Sequence, residues 1–156
     1  MREREVEATW RSWNGGQKEQ LRLGWEAGGW TADGVISGCA EGSASRDVHY
    51  AIRVDDTWTI RHFLLFRDSD EPDLWLAHDG TGTWGEVNGA QRADLEGCTD
   101  IDLGCTPFTN TLPIRRLGLA VGESAEITAA WPTTVTRSRC PRALTRMTQK
   151  PLSAFW

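Results

Sequence analysis

The residues best suited to chemistry lie together between Leu95 and Leu119, in the run LEGCTDIDLGCTPFTNTLPIRRLGL. Asp100 and Asp102 flank Ile101, and the adjacent pair Arg115–Arg116 closes the run. An Asp-x-Asp pair on an extended strand points both carboxylates the same way and could hold a hard divalent cation, but such an ion needs more oxygen ligands than two side chains supply. The competing reading is a buried pair satisfied by Arg115, Arg116 or backbone N–H groups. The arginines offer forked donors that suit a phosphate or a sugar headgroup. On a helix, neighbouring side chains diverge by about 100°, so one of the two faces any given site. The expected division is one arginine paired to an aspartate, with Asp102–Arg115 the pair a double substitution would test, and the other facing solvent or ligand. Asn110, in the turn before them, is a further headgroup donor and acceptor.

No complete reactive set forms around these groups. Cys98 and Cys105 are too loosely spaced for a zinc motif, and His49, His62 and His78 fall on strand or turn positions. No serine sits in a G-x-S-x-G elbow, and no glycine loop matches a phosphate cradle. The many carboxylates could include a glycosidase pair, but nothing selects two of them. The reading is no catalytic residue, no metal and no cofactor. Nine tryptophans are the largest apolar resource. Trp58, Trp75 and Trp84 fall near turns and strand ends, where they would wall a sugar face or a lipid tail, unless they simply fill the core. Arg61, just after Trp58, joins them as a candidate ligand contact.

The elements that must position these groups read mostly at period two. Val6, Ala8 and Trp10 alternate with polar residues, as do Leu21, Leu23 and Trp25, with Gly15–Gly16 and Gly28–Gly29 as breaks. Val35 and Ile36 sit in a short run ending at Gly38. Residues 48–66 predict a β-hairpin turning at Asp55–Asp56, with Val48, Tyr50, Ile52 and Val54 on one face of the first strand. On the second strand Trp58, Ile60, His62, Leu64 and Phe66 share a face, and Phe63 and Leu65 make the other face apolar toward the end, as in a covered central strand. Further strands are expected at 74–77, 84–87, 92–95 and 124–131. Only Thr111–Leu117 suggests a helix, with Thr111 as cap, Pro113 in the first turn, and Arg115 and Arg116 in the last turn, where the helix dipole favours cations. The fold class is therefore mainly β with one short helix.

At 156 residues the chain fits one domain. Its formal net charge of −5 argues against nucleic acid or an anionic membrane surface as the main partner. Residues 1–131 carry all 22 acidic groups and 12 of the 17 basic ones, a net −10; residues 132–156 carry the other 5 basic groups and no acid. The division expected is a domain over 1–131 and an atypical basic tail over 132–156, weakly ordered in composition. The charged N-terminus lacks the apolar run of a signal peptide, and no apolar stretch is long enough to span a membrane. A cytoplasmic location with reduced cysteines is the expectation.

The run from Leu95 to Leu119 resembles the signature of the putative glycolipid-binding family of bacterial domains. The residues that carry the likeness include Gly97, Cys98, Asp100, Asp102, Thr106, Pro107, Asn110, Pro113, Arg115 and Arg116. The upstream pieces DDTWTIRHFLLF and LWLAHDGTGTW are similar as well, so the likeness spans about residues 10–131. It implies a spiral β-roll, an antiparallel sheet wrapped around one short α-helix, and a homodimer enclosing a large cavity. The glycolipid ligand it implies is itself an inference from fold. The basic 132–156 segment departs from the family pattern, as a frameshifted or truncated reading frame would, and a truncated roll would leave a strand edge unpaired.

The leading expectation is thus a non-enzymatic binder of an amphiphile, a glycolipid in the first place. Its contacts would be Trp58, Arg61, Trp75, Trp84, Asp100, Asp102, Asn110, Arg115 and Arg116. The alternatives are a hydrolase of a sugar or lipid ester using Asp100 or Asp102 as acid or base, and a structural or interaction domain whose central charges are all internally paired.

Overall fold

A computed structural model describes residues 5–41, 44–67, 69–132 and 142–148. Seven strands run as an antiparallel meander, each paired to the next: β1 (Glu5–Arg11), β2 (Lys18–Glu26), β3 (Gly29–Glu41), β4 (Ala44–Asp55), β5 (Ile60–Arg67), β6 (Leu74–His78) and β7 (Trp84–Glu86). A short 3-10 turn (Ala93–Leu95) leads to β8 (Asp100–Ile101), then α1 (Phe108–Leu117), β9 (Ser124–Ala130) and β10 (Arg142–Thr148). The last three strands form a second sheet in the order β10-β9-β8. The fold is the mainly β roll expected, an open sheet with a single helix among the described residues. One pairing differs from an all-antiparallel sheet. β8 and β9 run parallel, because α1 stands between them as the crossover that parallel neighbours require. From the basic 132–156 segment, β10 pairs antiparallel with β9; the remainder of that segment past Pro132 lies outside the described residues.

The period-two pattern becomes an inner and an outer face. Cross-strand partners Leu21, Gly34 and Tyr50, and likewise Leu23, Ala32 and Ile52, point inward. The hairpin's first strand is as expected, with Val48, Tyr50, Ile52 and Val54 all buried. Its second strand differs. A register shift after Arg53 pairs Val54 with Ile60 but Arg53 with His62. The extra residue flips the face, so Ile60, Phe63, Leu65 and Arg67 are buried while Leu64 and Phe66 lie on the outer side. β3 also runs on through Gly38 instead of ending there. A bulge absorbs Gly38, whose φ of 73° and 2.2 Å approach of a notional Cβ to the Gly16 carbonyl oxygen admit no side chain.

One continuous core joins the two sheets. Leu95, Ile101, Leu103, Phe108 and Leu112 from the central stretch pack with Ile36, Tyr50, Phe63 and Leu65 from the meander. Cover thins toward the β1 edge, where inward-pointing Val6 is 52% exposed and Ala8, Trp10 and Leu23 are half-buried. The inner face is therefore closed under the middle strands and only partly covered along β1 and the Leu23–Trp25 end of β2.

Candidate functional site

The helix is fixed to the sheet at its first turn. It begins at Phe108, earlier than Thr111, because the threonine that serves it is Thr106. The Thr106 hydroxyl accepts the Phe108 N–H at 3.0 Å, and Pro107 follows with a helical φ of −74° that its ring favours at a helix start. Pro113 consequently lies mid-helix, not in the first turn. The same hydroxyl donates to Glu19 Oε1 on β2 at 2.8 Å, and Tyr50 donates to that oxygen at 2.6 Å. Glu19 is 1% exposed, and burial pushes its carboxyl pKa up, against the lowering effect of these two donors. Tyr50 reaches Glu19 because it lies across Gly34, where a Cβ would come within 2.2 Å of its ring. At the other end, Gly118 takes the left-handed conformation, and the Gly118 and Leu119 N–H groups close back onto Arg115 and Ile114 carbonyls.

The two arginines divide their roles as anticipated, with the partners exchanged. Arg116 Nη2 bonds Asp100 Oδ2 at 2.5 Å, and the Thr99 hydroxyl donates to the same oxygen at 2.7 Å. The pair is therefore Asp100–Arg116, not Asp102–Arg115. Both residues of β8 are buried, and Asp100, at 1% exposure, is a carboxylate that needs a cation. Asp102 is half-buried, accepts no hydrogen bond among the described residues, and has its carboxyl pKa raised by burial. Asn110 is exposed on the first turn of α1. Among the described residues no three metal-ligating side chains converge.

Arg115 goes to the tryptophans. Its guanidinium carbon lies over the Trp58 ring, 5.5 Å from the centroid. Trp58 stacks on Trp30 at 5.8 Å and 25°, and Trp30 meets Trp25 edge-on at 5.2 Å and 74°. The hairpin register makes Trp25 and Trp30 direct cross-strand partners on the inner face. The row thus runs along one end of the meander strands, and its outer member Trp25 is 36% exposed. Trp58 joins it only by taking a φ of +66°, a costly conformation for a bulky residue. Its turn is held by Asp55, whose Oδ1 accepts the Thr57 and Thr59 N–H groups and the Thr57 hydroxyl, while Oδ2 pairs with Arg61. Those donors hold the Asp55 carboxyl below the usual carboxylate range against the opposing pull of burial. Beside Arg115 a hollow of about 510 Å³ is lined by Thr111, Ile114, Gly118 and Leu119.

The remaining candidates lie apart from this row. Arg61 clasps two turns, pairing with Asp55 and donating to the Asp79 carbonyl at 2.5 Å. Trp84 is 1% exposed, stacks on His78 at 4.3 Å, and donates to the Cys98 carbonyl at 2.8 Å, which places it in the core. Trp75 pairs with Leu64 on the outer face and is 38% exposed. The structure therefore unites Trp58 with Arg115 and Asp100 with Arg116. It adds Trp25, Trp30 and Glu19, which had not been singled out. The signal for the two tryptophans was their symmetric placement around Ala27–Gly28 at the glycine break, where a tight two-residue hairpin makes them partners. Glu19 carried no signal, since an isolated glutamate in a polar segment reads as solvated.

A family model described as "Putative glycolipid-binding" matches residues 7–150. A crystal structure of a DUF1089 family protein from Pseudomonas aeruginosa is similar at 31% identity and a TM-score of 0.72, over 92% of this chain and 77% of that one. No curated protein matches the chain. No helix among the described residues is long and apolar enough to cross a membrane. The chain belongs to the putative glycolipid-binding family.

Proposed function

We propose that this member of the family is a non-enzymatic carrier or sensor of an amphiphile, with a glycolipid, the ligand class in the family's description, as the first candidate. The observation that carries the reading is the tryptophan row at the open end of the inner face, with Arg115 over its last ring. Indole faces suit both sugar rings and acyl chains, and each methylene withdrawn from water contributes about 0.8 kcal/mol. The chain would lie along Val6, Ala8 and Leu23, the part of the inner face left exposed or half-buried. The headgroup would sit at Arg115 and the hollow beside α1. A second copy closing the open side, and a reducing cytoplasm in which buried Cys39, Cys98 and Cys105 stay reduced, belong to the same reading.

The central charges favour binding over reaction. Asp100 is tied up by Arg116 and Thr99, and Asp102 accepts no hydrogen bond that would orient it for acid–base work among the described residues. Native mass spectrometry of protein purified from cells tests the reading. A bound species in the lipid mass range, lost on denaturation, is expected. A clean apo mass, with no shift on adding an alkyl glycoside, would count against it.

A further inference from the structure

Arg115 also indicates which headgroup the site accepts. Arg22, Arg53, Arg61, Arg67, Arg92 and Arg116 each have a carboxylate within ion-pair distance. Arg115 has none among the described residues; its neighbour is the Trp58 ring. It is exposed, so its guanidinium edge is available for forked hydrogen bonds while the indole engages its face. The hollow it lines adds the Thr111 hydroxyl and the apolar Ile114 and Leu119, spaced along one side of α1 and just beyond its end. A second cleft, of about 260 Å³ at the β1–β3 corner, has the opposite character. Glu5, Glu26 and Asp33 line it, and its arginine, Arg22, is already paired with Glu5. Trp58 is held under Arg115 against its own backbone preference by the Asp55 turn, so the placement of the cation on the ring is built rather than incidental.

We propose that the amphiphile carries an anionic headgroup, a phosphate, sulfate or carboxylate, bound by Arg115 with Thr111, while its chain lies on the tryptophan row. The proposal rests on the amphiphile-binding reading and narrows it. A free oxyanion shares the headgroup chemistry but makes no use of the tryptophans or of Ile114 and Leu119. The chain's formal net charge of −5 disfavours anions in general, so preference for one depends on a cation such as Arg115 that no carboxylate neutralises among the described residues.

The test titrates the full chain with dodecyl phosphate and with dodecyl maltoside, both below micelle-forming concentration, reading tryptophan fluorescence. The phosphate should bind about tenfold or more tightly, as a charge-assisted bidentate contact allows. Arg115→Gln should collapse that ratio toward one, and Arg115→Lys should restore part of it, with circular dichroism confirming that each variant folds. Equal affinity of the parent for both amphiphiles, or a ratio unmoved in Arg115→Gln, overturns the anionic headgroup and leaves amphiphile binding standing. Failure of both to bind overturns both readings. Displacement of dodecyl phosphate by inorganic phosphate at similar concentration would assign the site to the free anion and overturn the lipid form of the proposal.

Discussion

Removing Arg116 should be among the most damaging single changes to the stability of this chain. Asp100 is 1% exposed, and its Oδ2 has two donors, Arg116 at 2.5 Å and Thr99 at 2.7 Å, while its buried Oδ1 has no hydrogen-bond partner among the described residues. Arg116→Met keeps most of the apolar stem and leaves the carboxylate with one hydroxyl. Stranding a buried charge costs about 3–5 kcal/mol. Asp100→Asn is milder, about 1–2 kcal/mol, because the Arg116 side chain is 18% exposed and its charge can turn toward water. In the double variant no charge is stranded, so its cost should fall about 2 kcal/mol short of the sum of the singles. Against a total stability of about 5–15 kcal/mol, Arg116→Met alone should lower the urea midpoint visibly and Tm by roughly 10 °C. Urea unfolding of the four proteins, followed by tryptophan fluorescence and checked by circular dichroism, measures the cycle. Costs additive within about 0.5 kcal/mol would refute the claim that this pair joins α1 to β8 energetically.

Three more changes probe other joints. Gly34→Ala must push the Tyr50 ring off its place and its hydroxyl off Glu19, and should cost about 2–4 kcal/mol in urea unfolding, well above an ordinary strand glycine. Trp58→Gly should be more stable than Trp58→Ala by about 1 kcal/mol, since only glycine occupies a φ of +66° without strain; equal Tm values would show the turn to be relaxed. Burial raises the Asp102 carboxyl pKa above its ordinary 3.8, so between those values the native state holds more protons than the unfolded chain and stability falls as pH rises through that window. Asp102→Asn should therefore match or exceed the parent's Tm at pH 7 and remove part of the parent's gain on acidification; a clear loss at pH 7 would mean that Asp102 has a partner.

The alternation of Val48, Tyr50, Ile52 and Val54 was enough to specify a buried strand face, because a period of two is local. The face of the next strand was not, since the bulge opposite Arg53 depends on how Val54 and Ile60 pair across the turn. The helix was legible from Pro113 and the arginines, but its start was misplaced: Thr106 and Thr111 look alike as caps until Glu19, far away in sequence, selects Thr106. A similar long-range choice gave Arg116, not Arg115, to an aspartate. Single tryptophans gave no hint of their surroundings. Trp58, Trp75 and Trp84 read alike in sequence and occupy a row of stacked tryptophans, an outer face and a core.

The central claim is that an amphiphile's chain lies against the inner-face tryptophans, and quenching by a bromine-labelled acyl chain tests it most directly. Addition of a brominated lysolipid should quench a saturable part of the tryptophan emission. Paired Trp25→Phe and Trp30→Phe substitutions should sharply reduce that part, and Trp75→Phe on the outer face should leave it intact. Absence of saturable quenching, or its loss in Trp75→Phe with persistence in the paired variant, would contradict the account.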